Sequence, residues 1–349
     1  MFNATHAFRR LVKAFGAQIL SSSLLLLGPA GIAAAAGTIV NSNGFESPYM
    51  AGALQGQFGW QNAGSGSTSA TVQGSIFHSG SQAVLVTRAA NSDQRWAVPD
   101  QLGFPTQRFV TVDWDMRVSQ PSNLTAFGPF FGVDSYDDFG TFGQLGSFGV
   151  DATTGEILYQ LQDTGELVAA PATVLFNEWY HYRLVLDFGT DSYRGYVNGM
   201  LVATTGFVDR GFGLDNFSDA DISAFAASPD AVSQGLSASA VFDNFVIRDG
   251  LLGDYDIDGD VDTADYTKWR MTFGTAVSPA GNNADGNKNG VVDAGDYVIW
   301  RDNLNASLFS GAGSGAALSS LVVPEPSGLL LILMVAPALV GRTFRRRQG

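Results

Sequence analysis

The chain has 349 residues, room for two or three domains, and no cysteine, which excludes disulfide staples and a lipid-modified N-terminal cysteine. Residues 37–327 hold 12 basic against 33 acidic side chains, a balance of −21 that excludes nucleic acid and anionic membrane surfaces as partners. The other seven of the 19 basic residues (Arg9, Arg10, Lys13, Arg342, Arg345, Arg346 and Arg347) sit in the two acid-free ends.

Residues 1–36 run from that basic cluster through an apolar stretch, Ala14 to Leu27, to Ala33-Ala34-Ala35-Ala36. This is the order of a signal peptide, with cleavage expected after Ala36. The Arg9-Arg10 pair hints at the twin-arginine route, but its flanks favour general export. Residues 37–250 read as all-β. Val110, Val112, Trp114, Met116 and Val118 alternate with Thr111, Asp113, Asp115 and Arg117, the period of a half-buried strand. Asp113 and Asp115 then belong to its solvent-facing half, although two acids at i, i+2 also leave a catalytic pair open. Between residues 127 and 148, Phe127, Phe130, Phe131, Tyr136, Phe139, Phe142 and Phe148 mix with glycine and with Asp134, Asp137 and Asp138. Aromatic faces stack on sugar rings and carboxylates accept their hydroxyl hydrogens, so Phe130, Phe131, Asp134, Tyr136 and Asp137 are the candidate ligand-binding residues. A sandwich core would claim the same rings. Alternation recurs from Tyr180 to Phe188, and Tyr196 to Val202 reads as a hairpin turning on Asn198-Gly199.

Trp179 to Asp187, the Tyr196–Gly199 run and the closing Val241-Phe242-Asp243-Asn244-Phe245-Val246-Ile247, with Phe45-Glu46 near the start, resemble the laminin-G/concanavalin-like jelly roll over residues 40–249. The resemblance implies an antiparallel β-sandwich and a structural calcium joining Glu46 and Asp243. Concanavalin-like glucanases carry Glu-x-Asp-x-x-Glu on one strand. Here Glu46, Glu156, Glu166 and Glu178 are the four glutamates of the segment and none has that spacing. His78 and His181 stand apart from any nucleophile in the sequence. Polysaccharide binding is therefore expected, with glycoside hydrolysis and a purely structural matrix role as the rival readings.

Two stretches then repeat 31 residues apart. Asp254, Asp256, Asp258, Asp260, Asp262 and Asp265 form the first, and Asp285, Asn287, Asn289, Val291, Asp293 and Asp296 the second. These are positions 1, 3, 5, 7, 9 and 12 of a twelve-residue calcium loop, with Gly259 and Gly290 at the sixth position where the chain must turn sharply. Asp260 and Val291 serve through their backbone carbonyls, and Asp262 through water. Six aspartates in one loop repel each other until a cation neutralises them, so metal binding and folding are coupled. The second loop, with two asparagines, is expected to bind more weakly. Neither loop has room for an entering helix. An exit helix is expected after each, with Tyr266, Trp269 and Phe273 and then Tyr297, Trp300 and Leu304 on one stripe. Duplicated loop plus exit helix resembles a type I dockerin over residues 253–305. The resemblance implies two calcium ions and a cohesin-like or other docking partner.

After a Gly/Ala/Ser linker at 307–322 come Pro324, Glu325 and Pro326, the apolar run Leu329 to Val340, interrupted by Pro337, and the arginine cluster. This resembles a PEP-CTERM sorting signal over residues 323–347. It implies an exosortase-type processing enzyme and delivery to the cell envelope or matrix, while a retained tail anchor stays open. The fold class expected is mainly β: a sandwich at 37–250, a small α-helical calcium-loop module at 251–306 and a hydrophobic, membrane-crossing C-terminal helix. The function expected is that of an exported, envelope-sorted, non-catalytic modular protein.

Overall fold

The computed structural model describes residues 38–98, 109–119, 127–139, 142–278, 280–281, 283–308 and 319–320. The expected signal peptide, most of the linker, the sorting motif at Pro324–Pro326 and the apolar C-terminal run lie outside them. Among the described residues no helix is long and apolar enough to cross a membrane. The chain divides into two compact units, residues 1–319 and 320–349.

In chain order the strands of the first unit are β1 (Thr38–Asn41), β2 (Gly52–Ala53), β3 (Gln61–Gly64), β4 (Ser69–Gln73), β5 (Ala83–Arg88), β6 (Gln94–Ala97), β7 (Phe109–Val118) and β8 (Pro129–Asp137). There follow β9 (Gly143–Asp151), β10 (Glu156–Gln160), β11 (Leu167–Thr173), β12 (Tyr180–Asp187), β13 (Ser192–Val197), β14 (Met200–Gly206), β15 (Asp219–Ala226) and β16 (Ala238–Asp249). The helices are the single turn α1 (Ala231–Gln234), then α2 (Thr263–Thr272) and α3 (Ala294–Asn303).

The strands make two antiparallel sheets. Sheet A runs β14-β13-β12-β7-β16-β5-β4-β2, with β1 added against the far half of β16; sheet B runs β11-β10-β9-β8-β15-β6-β3. The alternation along Val110–Val118 sends Val112, Trp114 and Met116 into the space between the sheets, where Trp114 stacks on Tyr182 (5.4 Å) and meets Phe148 of sheet B edge-on (6.2 Å). The Asn198-Gly199 turn joins β13 to β14 with both residues at positive φ (48° and 78°), the requirement of a type I′ hairpin. Expectations at the level of strand period and turn chemistry are met.

One core feature is costly. The Tyr182 hydroxyl is buried and, among the described residues, has no hydrogen-bond partner. An unmet buried hydroxyl loses its water without replacement, so Tyr182→Phe should stabilise the fold by about 1 kcal/mol. Thermal unfolding should read this as a midpoint rise of about 2–4 °C; a fall would mean that the hydroxyl has a partner.

Candidate functional site

Each calcium-type loop feeds directly into a helix. Asp262 is the N-cap of α2 and accepts from the Ala264 amide (2.6 Å), while Asp265 at the third helical position accepts from the Asp262 amide (2.7 Å). Asp293 and Asp296 repeat this capping box on α3. The ninth and twelfth loop positions thus start the helix as well as facing the loop. Gly259 and Gly290 turn at φ 100° and 87°, values that side-chain-bearing residues avoid.

In the first loop the carboxylates of Asp254, Asp256 and Asp265 lie within 4.8 Å of one another. Burial pushes the Asp254 carboxyl up to about 7, against the Gly259 amide and with help from the neighbouring Asp265 charge. Burial raises Asp256 and Asp265 too, with further acids adding to it. Three carboxyls that resist ionising together are the donor set that a hard, oxygen-seeking divalent cation requires. The residues fit the metal. Asp258 and Asp262 instead turn an oxygen to the amides of Asp260 and Ala264. In the second loop Asp285 and Asp296 are buried, and Asp285 accepts from Gly281, Asn289 and Gly290. The side-chain oxygens of Asn287 and Asn289 accept from the amides of Asn289 and Val291, and the Asn289 amide reaches Asp293 (3.1 Å).

The two repeats interlock. Trp269 Nε1 donates to the Asp293 carbonyl (2.8 Å) and Trp300 Nε1 to the Asp262 carbonyl (2.6 Å), each indole bracing the other repeat's loop. Tyr266, Trp269, Tyr297 and Trp300 pack as a quartet with centroids 5.1–6.1 Å apart. Phe273 and Leu304, expected on the same stripe, fall just past the helices and are exposed.

The outer face of sheet B gathers three of the five candidate ligand residues. Phe130, Asp134 and Tyr136 project to that face and are buried. Asp134 accepts from Arg95 (2.7 Å), Ser147 (2.6 Å), Ser223 (3.0 Å) and Tyr136 (3.2 Å). Phe130 stacks on Phe225 (4.6 Å), over which Arg95 lies, and its ring crosses Gly132 and Gly149, where an added Cβ would meet it at 2.7 Å. Two expectations are corrected. Phe131 points the opposite way, into the core between the sheets, because neighbouring strand residues face opposite sides. Asp137 is committed to the amides of Phe139, Asp215 and Asn216, bracing a turn. Phe139 (55 %) and Phe127 (37 %) are the exposed rings of the segment, and Phe142, stacked on Tyr136, is half-buried. Trp60 and Trp96 are core residues.

The outer face of sheet A holds a cluster that the sequence did not reveal. Asp113 and Asp115, expected in solvent, are 4 % and 5 % exposed. Antiparallel register sets Arg183 opposite Asp113 and His181 opposite Asp115. His181 Nδ1 lies 3.0 Å from Asp115 and its Nε2 3.2 Å from Asp113, which also binds Arg183 (2.6 Å) and Arg248 (2.7 Å). His78 Nδ1 lies 3.0 Å from Asp115, which Asn244 also contacts (2.7 Å). Burial pulls the His181 pKa down, but its hydrogen bonds to Asp113 and Asp115 outweigh this and push it up to about 9. Burial likewise opposes ionisation of both aspartates, yet His181 and the other partners hold them below the usual range. With both ring nitrogens committed, His181 is a structural cation rather than a base. Glu46 and Asp243, the pair implied for a third calcium, brace one loop from its two ends: Glu46 accepts from Ser81 and Gln82, Asp243 from His78 and Ser79.

No family model matches the chain, and no curated protein does. Among solved structures it is similar to the cellulose induced protein Cip1 (13 % identity, TM-score 0.42, covering 56 % of this chain and 93 % of that one). It is also similar to an endo-β-1,4-glucuronan lyase from the fungus Trichoderma reesei (11 %, 0.42, 57 % and 93 %). A third is an alginate lyase, Aly36B, with alginate trisaccharide bound (14 %, 0.41, 62 % and 99 %).

Proposed function

We propose that this is an exported, envelope-sorted, non-catalytic modular protein in which a dockerin-like, calcium-dependent module docks a β-sandwich to a partner. The observation that carries the reading is the convergence of Asp254, Asp256 and Asp265 at the head of α2, repeated in design at the head of α3. Calcium would be held by these carboxylates in the first loop and by Asp285, Asn287, Asn289 and Asp296 in the second; when bound, it neutralises the acid cluster and lets the loops close. The sandwich contacts extracellular polysaccharide through the accessible rings Phe127 and Phe139, which flank the two ends of the central strand β8. A hydrolytic reading finds little support, since Asp134 is saturated by four donors and Asp113 and Asp115 are locked to His181. Export and sorting rest on the two terminal segments, through recognition by an exosortase-type enzyme.

Isothermal titration of the full chain should find two calcium ions. A pull-down on insoluble polysaccharides beside a reducing-sugar assay should find binding without sugar release, and Phe139→Ala should weaken binding about tenfold, the equivalent of one stacked ring. Sugar release abolished by Asp134→Asn would make the protein a hydrolase. Absence of calcium binding would end the docking reading.

A further inference from the structure

We propose that the first calcium loop, and not the second, fastens the helical module to the sandwich, so that calcium at one loop governs how firmly the two parts are joined. This rests on the calcium reading above and extends it to a contact between modules.

The 31-residue repeat also relates two short backbone ladders. Residues 305–308, beyond α3, pair with the first loop: Asn305 N–H to the Val261 carbonyl (2.8 Å), Val261 N–H to Ala306 (2.8 Å) and Leu308 N–H to Gly259 (2.9 Å), with Asp260 bridging Ser307. Residues 274–277, beyond α2, pair with the second loop in the same way: Gly274 N–H to Val292 (2.8 Å), Val292 N–H to Thr275 (2.9 Å) and Val277 N–H to Gly290 (2.9 Å), with Ala276 bridging Val291. Each ladder therefore hangs on loop positions six to eight, the part of the loop that must turn around the cation.

The two ladders lead to different places. Val277 packs within the helical module, against the cluster of Tyr255, Val261, Val292 and Trp300. Its repeat-mate Leu308 leaves the module and enters an apolar patch on the outer face of sheet A, formed by Phe109, Val185 and Tyr196, where it is 2 % exposed. Leu251, at the start of the module, borders both clusters. Arg183 adds a polar tie, donating to the Ser307 carbonyl (3.4 Å) while its Nε holds Asp113. Ser307 and Leu308, which open the stretch expected to be a linker, are thus part of the packed structure. The repeat's symmetry is broken at one point: the first loop presents a plug to the sandwich, the second presents its counterpart to the module's own core.

Without a cation, repulsion among the six aspartates opens the first loop and takes from residues 305–308 the carbonyls and amide that hold them extended. Leu308 then has no fixed presentation to sheet A. Opening positions six to eight of the second loop frees residues 274–277 instead, which are seated in the module's own core and not on sheet A.

The test is hydrogen–deuterium exchange of the full chain, read on peptides from β12 and β13, with calcium binding followed by calorimetry. At calcium a hundredfold above its dissociation constant, linkage allows up to a hundredfold slowing of exchange, and at least tenfold is expected in the wild type. Asp285→Ala, which opens the second loop without touching the α3 cap, should keep most of that protection, and the matching Asp254→Ala in the first loop should lose it. Leu308→Ser, which leaves every metal ligand in place, should still bind two calcium ions and yet lose the protection. Two ions bound with no change in β12–β13 exchange would overturn this proposal alone, as would protection that survives Leu308→Ser. A chain that binds no calcium would remove the metal reading, and this proposal with it.

Discussion

Replacing Asp265 by alanine is expected to lower calcium affinity at the first loop by a hundredfold or more and to melt α2. The carboxylate is fully buried and serves three amides, those of Tyr255 (2.6 Å), Asp256 (3.0 Å) and Asp262 (2.7 Å), while facing Asp254 and Asp256. Its removal deletes one of three converging ligands, unmakes the capping box and leaves amide groups without an acceptor. Each stranded buried amide costs about 1–3 kcal/mol, and the lost cap about 1 kcal/mol more. On the proposed calcium reading, in which folding of the segment depends on its metal, the module does not survive that sum. Far-ultraviolet circular dichroism with and without calcium, beside a calorimetric titration, checks both halves. Asn289→Ala, which removes an exposed neutral ligand from the less charged loop, should cost much less. Equal losses from the two variants would refute the ranking of the loops.

Asp113→Ala should be the most damaging single change in the sandwich outside its apolar core. It strands His181, Arg183 and Arg248, three cations whose side chains converge on one buried carboxylate. Removing one member of a buried charge cluster costs about 3–5 kcal/mol, and the partial exposure of all three cations favours the low end. A loss of about 3 kcal/mol lowers the unfolding midpoint by roughly 6–12 °C. The same cluster sets a pH dependence. The His181 pKa rises from its ordinary 6.5 to about 9 in the fold, so its contribution is complete below about pH 6.5 and disappears as pH climbs through 9. Asp113 and Asp115 are lowered, so theirs is present above the ordinary carboxylate range and fades as pH falls through it. The midpoint should therefore decline between about pH 6.5 and 9, and Asp113→Asn should flatten that decline. A wild-type midpoint that does not move across this range would show that His181 does not titrate there.

Much of this arrangement was legible in the sequence. Periodicity located β7 and β12, Asn198-Gly199 located a hairpin, and loop spacing located both helix starts, because each of these signals is local. Facing was harder. Alternation along β7 separated Asp113 and Asp115 from Trp114, but said nothing of what lies over them. His181 and Arg183 arrive from 66 to 70 residues away through the pairing of β7 with β12, and Asn244 and Arg248 from 129 and 135 residues away on β16. Composition alone groups Phe130 with Phe131, although neighbours on a strand must face opposite ways. Leu308 was missed because Gly, Ala and Ser around it set the composition, and one leucine seated in a distant patch leaves no periodic trace.

The reciprocal indole braces carry a consequence for ancestry. Trp269 closes on the Asp293 carbonyl and Trp300 on the Asp262 carbonyl, and the residues leaving each helix pair with the other repeat's loop. A lone loop-and-helix unit would have none of these bonds and an exposed aromatic face, and the partner best shaped to complete it is another copy of itself. The tandem repeat reads as a homodimer that gene duplication wrote into one chain, after which the two halves were free to diverge: one toward tighter charge and an outward plug, the other toward asparagine and a self-contained core.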